Sequence, residues 1–404
     1  MLWSSRGSRV GGRVVLGVVS TLVLAATGYA WSQLSKLDDG IVTANVIPPA
    51  AQIDTEDAPP GEPLKVAQNI LLVGIDARTD AYGNPLPQNV LDALHAGSGD
   101  DGGDTTDTII VVHIPAGGAA ATAISIPRDS YVDIAGGYGK HKINSAYSRG
   151  KNASMSGLRA QGLSGAQLEV AANEAGAKTT IQTVEKFTGL TINHYASINL
   201  AGFDALSQAV GGVEVCLKAP VHDTYSGADF PAGKQTLSGA QALAFVRQRH
   251  GLQGGDLDRI ARQQAFLSGM AKTVLNAGTF TDPSKLNALV GAVQGAVVLD
   301  KGWDVLSFAQ QLRGMTSGAI GFATIPVQSL SLATPSDGDA VKVDPGQVQQ
   351  FVRTAISTPS VQASGDAAVG VRPVAATGTT TPTPGTSDTT QKQPATSTAA
   401  GCVN

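Results

Sequence analysis

The sequence predicts an α/β chain in which one sheet carries helices on both faces. Three observations lead there. Short apolar, β-branched runs alternate with longer stretches of helical period. Glycine and proline stand at the joins between them. Hydrophobic residues make up 42% of 404, enough for a large core, while charged residues are only 15%.

The elements follow in order. Residues 69–73 form a short apolar run closed by Gly74, which reads as a buried strand. Residues 108–114 and 122–126 are β-branched runs separated by Pro115-Ala116-Gly117-Gly118, a hairpin pattern. Residues 179–188 read as a helix ended by Gly189. Asn199 suits an N-cap for a helix through Phe203 and Leu206 to Val210, stopped by Gly211-Gly212. Residues 213–217 return as a strand, Ser238 caps a helix through Ala242 and Phe245, and 257–275 form a longer helix. One domain is expected over 65–358.

The ends differ in composition. Arg6, Arg9 and Arg13 precede an uncharged stretch, 14–33, close to the roughly 20 residues a bilayer requires. Basic residues on that side put 1–13 in the cytoplasm and the rest of the chain outside, with 14–33 as a single transmembrane signal anchor. A cleaved signal peptide is the rival reading, because Ala25, Ala26 and Ala30 are small. Residues 34–64 contain five prolines and read as an extended linker. Residues 359–404 form a Thr/Pro-rich low-complexity tail. Only Cys216 and Cys402 occur. Export would permit a disulfide between them, docking the end of the tail; two unrelated thiols are the alternative.

Against so few charges, four clusters stand out. Asp76 and Arg78 follow directly on the first strand, a usual ligand position or simply a surface turn. Asp107 precedes the next strand. With Asp76 it would offer two carboxylates suited to Mg²⁺, although a solvated acidic loop fits the spacing better. Arg128 and Asp129 end the third strand, where one ion pair is the simpler account. The most specific cluster is Arg247-Gln248-Arg249-His250 followed by 256–264, with four arginines in sixteen residues. Arg259 and Gln263 share a helix face, Arg262 lies beside it, and Asp256 sits at the helix start. Arginine forks bind phosphate oxygens in bidentate fashion, so this cluster reads as a pyrophosphate cradle or as a solvated face of Asp/Arg pairs. Acids for a metal with arginines for phosphates are the equipment of phosphoryl transfer.

Several classes are excluded. A net charge of −4 gives no basis for nucleic-acid binding. There is no GxxxxGK[ST] loop, GxSxG elbow, HExxH or CxxC motif.

Seven stretches, in this order, resemble the LytR–CpsA–Psr family of cell-envelope proteins, and most closely its actinobacterial members. They are NILLVGIDAR (69–78), TDTIIVVHI (106–114), SIPRDSYVDI (125–134), HKINSAYSRG (141–150), NHYASINLAGF (193–203), VGGVEVCL (210–217) and LSGAQALAFVRQRHGLQGGDLDRIARQQAF (237–266). The resemblance implies a three-layer α/β/α sandwich with a central mixed sheet and a deep apolar lipid pocket. It implies transfer, assisted by Mg²⁺ or Mn²⁺, of a glycopolymer from a polyprenyl-pyrophosphate carrier to a peptidoglycan hydroxyl. Carried over by position, Asp76 and Asp107 hold the metal. Arg78, Arg128, Arg247, Arg249, Arg259 and Gln263 bind the pyrophosphate, with Arg128, Arg259 and Asp256 counted as catalytic. Asp256 orients an arginine or helps deprotonate the acceptor. Many members carry an arginine two residues before the second metal aspartate, where this chain has Thr105. The 79–104 segment is long, which suggests a lid or a disordered loop. A polyprenyl-pyrophosphate hydrolase using water at the same site, and a non-catalytic lipid-binding scaffold or regulator, are the competing functions. A direct transcriptional role is disfavoured, because the cytoplasmic part expected is about 13 residues with three arginines, a topology signal.

Overall fold

The structure is a computed structural model. It describes residues 41–53, 64–99, 103–248, 251–252, 255–275, 291–292, 294–303, 320–357 and 402–404. In chain order the elements are β1 (Val42–Ala44), β2 (Gln68–Ile75), α1 (Gln88–Ala93), β3 (Thr106–Ile114), β4 (Ala121–Ser125), β5 (Tyr131–Ile134) and β6 (Gly139–Lys142). Helices α2 (Ser145–Ala160) and α3 (Gly165–Thr188) follow, then β7 (His194–Asn199), α4 (Leu200–Ala209), β8 (Val213–Leu217), β9 (Val221–Asp223), β10 (Ala228–Phe230) and β11 (Gly233–Leu237). The last are α5 (Gly239–Arg247), α6 (Asp256–Leu275), β12 (Val297–Asp300), β13 (Ile320–Thr324), β14 (Ser329–Ala333), β15 (Asp339–Lys342) and α7 (Pro345–Ser357).

A mixed sheet of seven strands, in the order β1-β12-β7-β2-β3-β4-β13, forms the centre. Strand β2 pairs in parallel with β7 and antiparallel with β3, which pairs antiparallel with β4 as the hairpin pattern predicts. Side chains alternate across a strand. Leu71, Val73 and Ile75 therefore join Ile109 and Val111 on one face, packed on Ile181, Val184 and Phe187 of α3. Leu72 and Gly74, with Thr108 and Ile110, line the other face beneath α4, α5 and α6. Both faces are covered, so β2 and β3 read as nearly continuous apolar runs.

The helix ends obey local chemistry. Asn199 Oδ1 accepts the Gly202 N–H at 2.7 Å, the cap expected for α4. Gly189 ends α3 with φ at 75°, a left-handed turn that glycine adopts without strain. Helix α3 starts at Gly165, well before the expected residue 179, because the intervening stretch is rich in alanine, the best helix former.

Two boundaries differ from expectation. Part of the stretch read as a linker, 34–64, belongs to the fold: β1 pairs in parallel with β12, and Val46 and Ile47 are buried. The prolines there masked a short apolar segment, Val42 to Ile47, that the sheet edge can bury. The 79–99 portion of the suspected lid is packed instead. Leu91 and Leu94 are buried in an apolar core with Val213, Phe230 and Phe245, and a side chain at Gly83 would lie 2.6 Å from the Ala166 carbonyl. The expected segments 1–13 and 14–33, and the 359–401 portion of the tail, lie outside the described residues. Among the described residues no helix is long and apolar enough to cross a membrane.

Cys216 and Cys402 form a disulfide across a sequence separation of 186 residues. Val403 adds a strand-like rung beside β8: its N–H donates to the Cys216 carbonyl at 2.9 Å, and the Lys218 N–H donates to its carbonyl at 2.8 Å. Closing so long a loop removes freedom from the unfolded chain, an effect of about 2–4 kcal/mol. Cys402→Ser is expected to lower the calorimetric Tm by several degrees under oxidising conditions and to match wild type after reduction. Equal Tm values before reduction would remove the bridge from the account.

Candidate functional site

The antiparallel order of β2, β3 and β4 brings three sequence clusters to one end of the sheet. Asp76 and Arg78 leave the end of β2, Asp107 opens β3, and Arg128 follows β4. A β-bulge sharpens the placement. Gly74 pairs with Thr108 and Ile75 with Thr106, so Asp107 is the extra residue. Bulges of this kind re-aim a side chain at the edge of a site. The Asp76 N–H donates to the Thr105 carbonyl at 2.9 Å, joining the two aspartate segments through the backbone. Thr105 thus contributes its main chain here.

Each acid has an arginine. Arg78 Nη1 lies 2.5 Å from Asp76 Oδ1, Arg128 contacts Asp107 Oδ1, and Arg259 contacts Asp256 one helical turn away. Arg259 is 2% exposed. Asp129 lies 3.7 Å from Arg128 Nε and 3.6 Å from Lys142 Nζ. Among the described residues, the buried Nε atoms of Arg78, Arg128 and Arg259 have no hydrogen-bond partner, and neither does Asp256 Oδ2. A buried donor without a partner is costly, so three guanidinium edges together point to an oxygen-rich anion.

The electrostatics agree. Burial raises the Asp256 pKa, although Arg259 and Arg128 pull it down. Burial also lowers the Arg259 pKa, against the pull of Asp256. For Arg128 burial again acts downward, but Asp107, Asp129 and Asp256 outweigh it and the pKa is raised.

Beside these charges lies a cavity of about 240 Å³ between the sheet and helices α4 to α6. Leu72, Ile110, Ile198, Phe203, Phe266 and Met270 line it, and Asp76, Asp107, Arg247, Arg259 and Gln263 stand among its lining. The site therefore combines an apolar slot with charged groups, a pairing suited to an amphiphile carrying phosphate.

The structure brings together eight of the nine residues singled out from sequence; Arg249 lies outside the described residues. Arg247 donates to the Leu94 carbonyl at 3.2 Å, which ties α5 to the segment after α1. Gln263 Nε2 reaches the Val246 carbonyl at 3.5 Å. Arg262 does not join the cradle. It is fully buried on another side of α6, over the Phe245 ring, and contacts Gln248 and the Asn404 carbonyl. Sequence reasoning noted Asp129 beside Arg128 only as an ion-pair partner and gave Lys142 no role. It also passed over Gln264, which donates to Ser125 Oγ at 2.9 Å and fixes α6 to the end of β4.

Whether a metal fits is a question of donor chemistry. Asp76 and Asp107 are hard oxygen donors on neighbouring strands, with side chains 21% and 27% exposed at the cavity. Each engages its arginine through Oδ1. Among the described residues no set of three or more His, Cys, Asp or Glu side chains gathers to hold a metal. Two carboxylates, with waters and substrate phosphate oxygens completing the shell, suit Mg²⁺.

The LytR_cpsA_psr family profile matches residues 50–354. The cell wall biosynthesis protein LcpA of Corynebacterium glutamicum is 44% identical over 346 residues, covering 85% of this chain and 65% of that protein. The polyisoprenyl-teichoic acid–peptidoglycan teichoic acid transferase TagU of Enterococcus faecalis is 34% identical over 202 residues, covering 49% of this chain and 57% of TagU. The chain therefore spans less than two thirds of the length of either relative. Among solved structures, Bacillus subtilis TagV superposes with a TM-score of 0.52 at 24% identity, covering 72% of this chain and 98% of TagV, a likeness of fold. The profile spans most of the chain and takes in every candidate residue described above, so the chain belongs to the LytR_cpsA_psr family.

Proposed function

We propose that the chain is a phosphotransferase that moves a glycopolymer from a polyprenyl-pyrophosphate carrier to a hydroxyl of peptidoglycan. The observation that carries this reading is the set of three partnerless guanidinium Nε atoms beside an apolar cavity. The names of LcpA and TagU support the same direction. In this reading 14–33 anchors the chain in the cell membrane and the catalytic domain faces outward.

The carrier lipid lies in the apolar slot, which removes its chain from water. Its pyrophosphate meets Arg78, Arg128, Arg259 and Gln263, with Arg247 on the α5 side; Arg249 joins this set on its sequence motif alone. Asp76 and Asp107 would hold Mg²⁺ or Mn²⁺, which would supply charge neutralisation at the phosphate oxygens. The acceptor hydroxyl attacks the phosphorus that bears the glycopolymer. A new O–P bond forms, the bridging P–O bond breaks, and polyprenyl phosphate leaves. Arg128 and Arg259 stabilise the charge that builds on the transferred phosphate. Asp256 holds Arg259 in line and, when ionised, accepts the hydroxyl proton.

The test offers a polyprenyl-pyrophosphate oligosaccharide, Mg²⁺ and peptidoglycan fragments to the full chain and detects products by mass spectrometry. Phosphodiester-linked product, lost with EDTA, is expected. Free phosphorylated sugar alone would replace the reading with a hydrolase, and intact substrate co-purifying with the chain would make it a lipid-binding scaffold. Arg259→Lys keeps the charge but loses the fork, and turnover should fall about 10²-fold with little change in Tm.

The pH profile gives a further check. Burial disfavours the ionised form of Asp256, so its pKa is raised and it protonates at a higher pH than an exposed carboxylate. Activity should therefore decline as pH falls through that raised value, with the acid limb displaced upward from the usual carboxylate range. Asp256→Asn should lower turnover and flatten that limb; an unchanged limb would assign it to another group.

A further inference from the structure

Lys151 is a buried ammonium that none of these steps uses. It lies on α2 at 4% exposure, with Nζ 2.6 Å from Asp104 Oδ2 and 2.5 Å from Glu169 Oε1. Burying an ammonium is expensive, and an apolar residue of the same length would fill the space at less cost. Packing of α2 on α3 does not require it. Gly150 and Gly176 already allow the close approach, since a side chain at Gly150 would lie 2.1 Å from Thr179 Oγ1 and one at Gly176 2.8 Å from the Tyr147 carbonyl.

The partners of Lys151 suggest what it does. Asp104 stands three residues before Asp107 and holds φ at +46°, in the left-handed region that side chains other than glycine rarely adopt. That turn sets the course of the backbone into the bulge at Asp107 and places the Thr105 carbonyl under the Asp76 N–H. On the other side, Glu169 accepts from Thr79 Oγ1 at 3.4 Å, one residue beyond Arg78. The same shell includes Asn144, whose carbonyl accepts the Thr106 N–H and whose N–H donates to the Arg128 carbonyl. One ammonium thus joins the segment that follows Asp76 to the segment that precedes Asp107.

We propose that Lys151 is a positioning residue that, through Asp104 and Glu169, sets the separation and aim of the Asp76 and Asp107 carboxylates. This rests on the reading of those two aspartates as the metal pair. Groups that orient metal ligands typically change affinity by 10- to 100-fold when removed.

The experiment is a Mn²⁺ titration of the full chain, followed by electron paramagnetic resonance of the free ion, with Tm measured alongside. Wild type, Asp76→Ala, Asp104→Asn and Lys151→Met are compared. Asparagine accepts positive φ, so Asp104→Asn removes the ion pair while keeping the turn. Asp104→Asn and Lys151→Met should each weaken Mn²⁺ binding about tenfold, with the Tm of Asp104→Asn close to wild type. Unchanged affinity in Asp104→Asn overturns the proposal, whether or not Lys151→Met folds. So does a weakened affinity that comes with a collapse of Tm in Asp104→Asn, which would assign the cluster to folding. A wild type that binds no Mn²⁺, or Asp76→Ala that binds like wild type, overturns the metal reading itself and the proposal with it.

Discussion

Three acids at the working end of this sheet are tolerated because an arginine lies beside each. Asp76 with Arg78, Asp107 with Arg128 and Asp256 with Arg259 are three such pairs, all at least largely removed from water. Removing one member leaves its partner buried and uncompensated, at a cost of several kcal/mol. Pairing alone does not satisfy these groups, however. Three guanidinium edges remain without acceptors among the described residues. The cluster is therefore electrostatically balanced and under-satisfied in hydrogen bonds, the condition expected of a site that awaits an anion.

The apolar slot depends on the same strands. Alternation along β2 sends Leu71, Val73 and Ile75 into the core under α3 and sends Leu72 and Gly74 toward the cavity. On the cavity side Gly74 and Ala196 are small, so the sheet surface beneath α4 to α6 is not filled by its own side chains. The void left there, about 240 Å³ and open to solvent on one side, is lined mostly by apolar side chains. Here the void ends at the acid–arginine pairs, so one face of one strand pair supplies both the greasy and the charged halves of the site.

Much of this was legible in the sequence because it is local. The Asn199 cap, the Gly189 stop and the hairpin around Pro115-Ala116-Gly117-Gly118 are short-range signals, and each appears as expected. The candidate residues converge because an antiparallel meander returns successive motif-bearing ends to the same side. What escaped is long-range. Strand β1 has three residues and exists only because β12 offers an edge far along the chain. The bulge at Asp107 is invisible until β2 and β3 are in register. Lys151 carries no signal in the sequence, since nothing within α2 reveals that Asp104 and Glu169 close over it.

Helix α6 shows how spacing can mislead where facing does not. Arg259 and Gln263 share one face and line the cavity. Arg262 is shifted in sequence by one residue from Gln263, and about 100° of rotation carries it into the protein. There it stacks over Phe245 at 5.1 Å and contacts Gln248 and the Asn404 carbonyl, while burial lowers its pKa to about 10. Gln248 adjoins Arg247, which lines the cavity, and Asn404 adjoins Val403, which is held to β8. A guanidinium is suited to this post because its rigid fork can reach several acceptors at once. Arg262, which the sequence places only beside the cradle face, connects α6, the end of α5 and the disulfide-bound segment behind the site, and that framework helps hold the cavity-facing arginines at fixed positions.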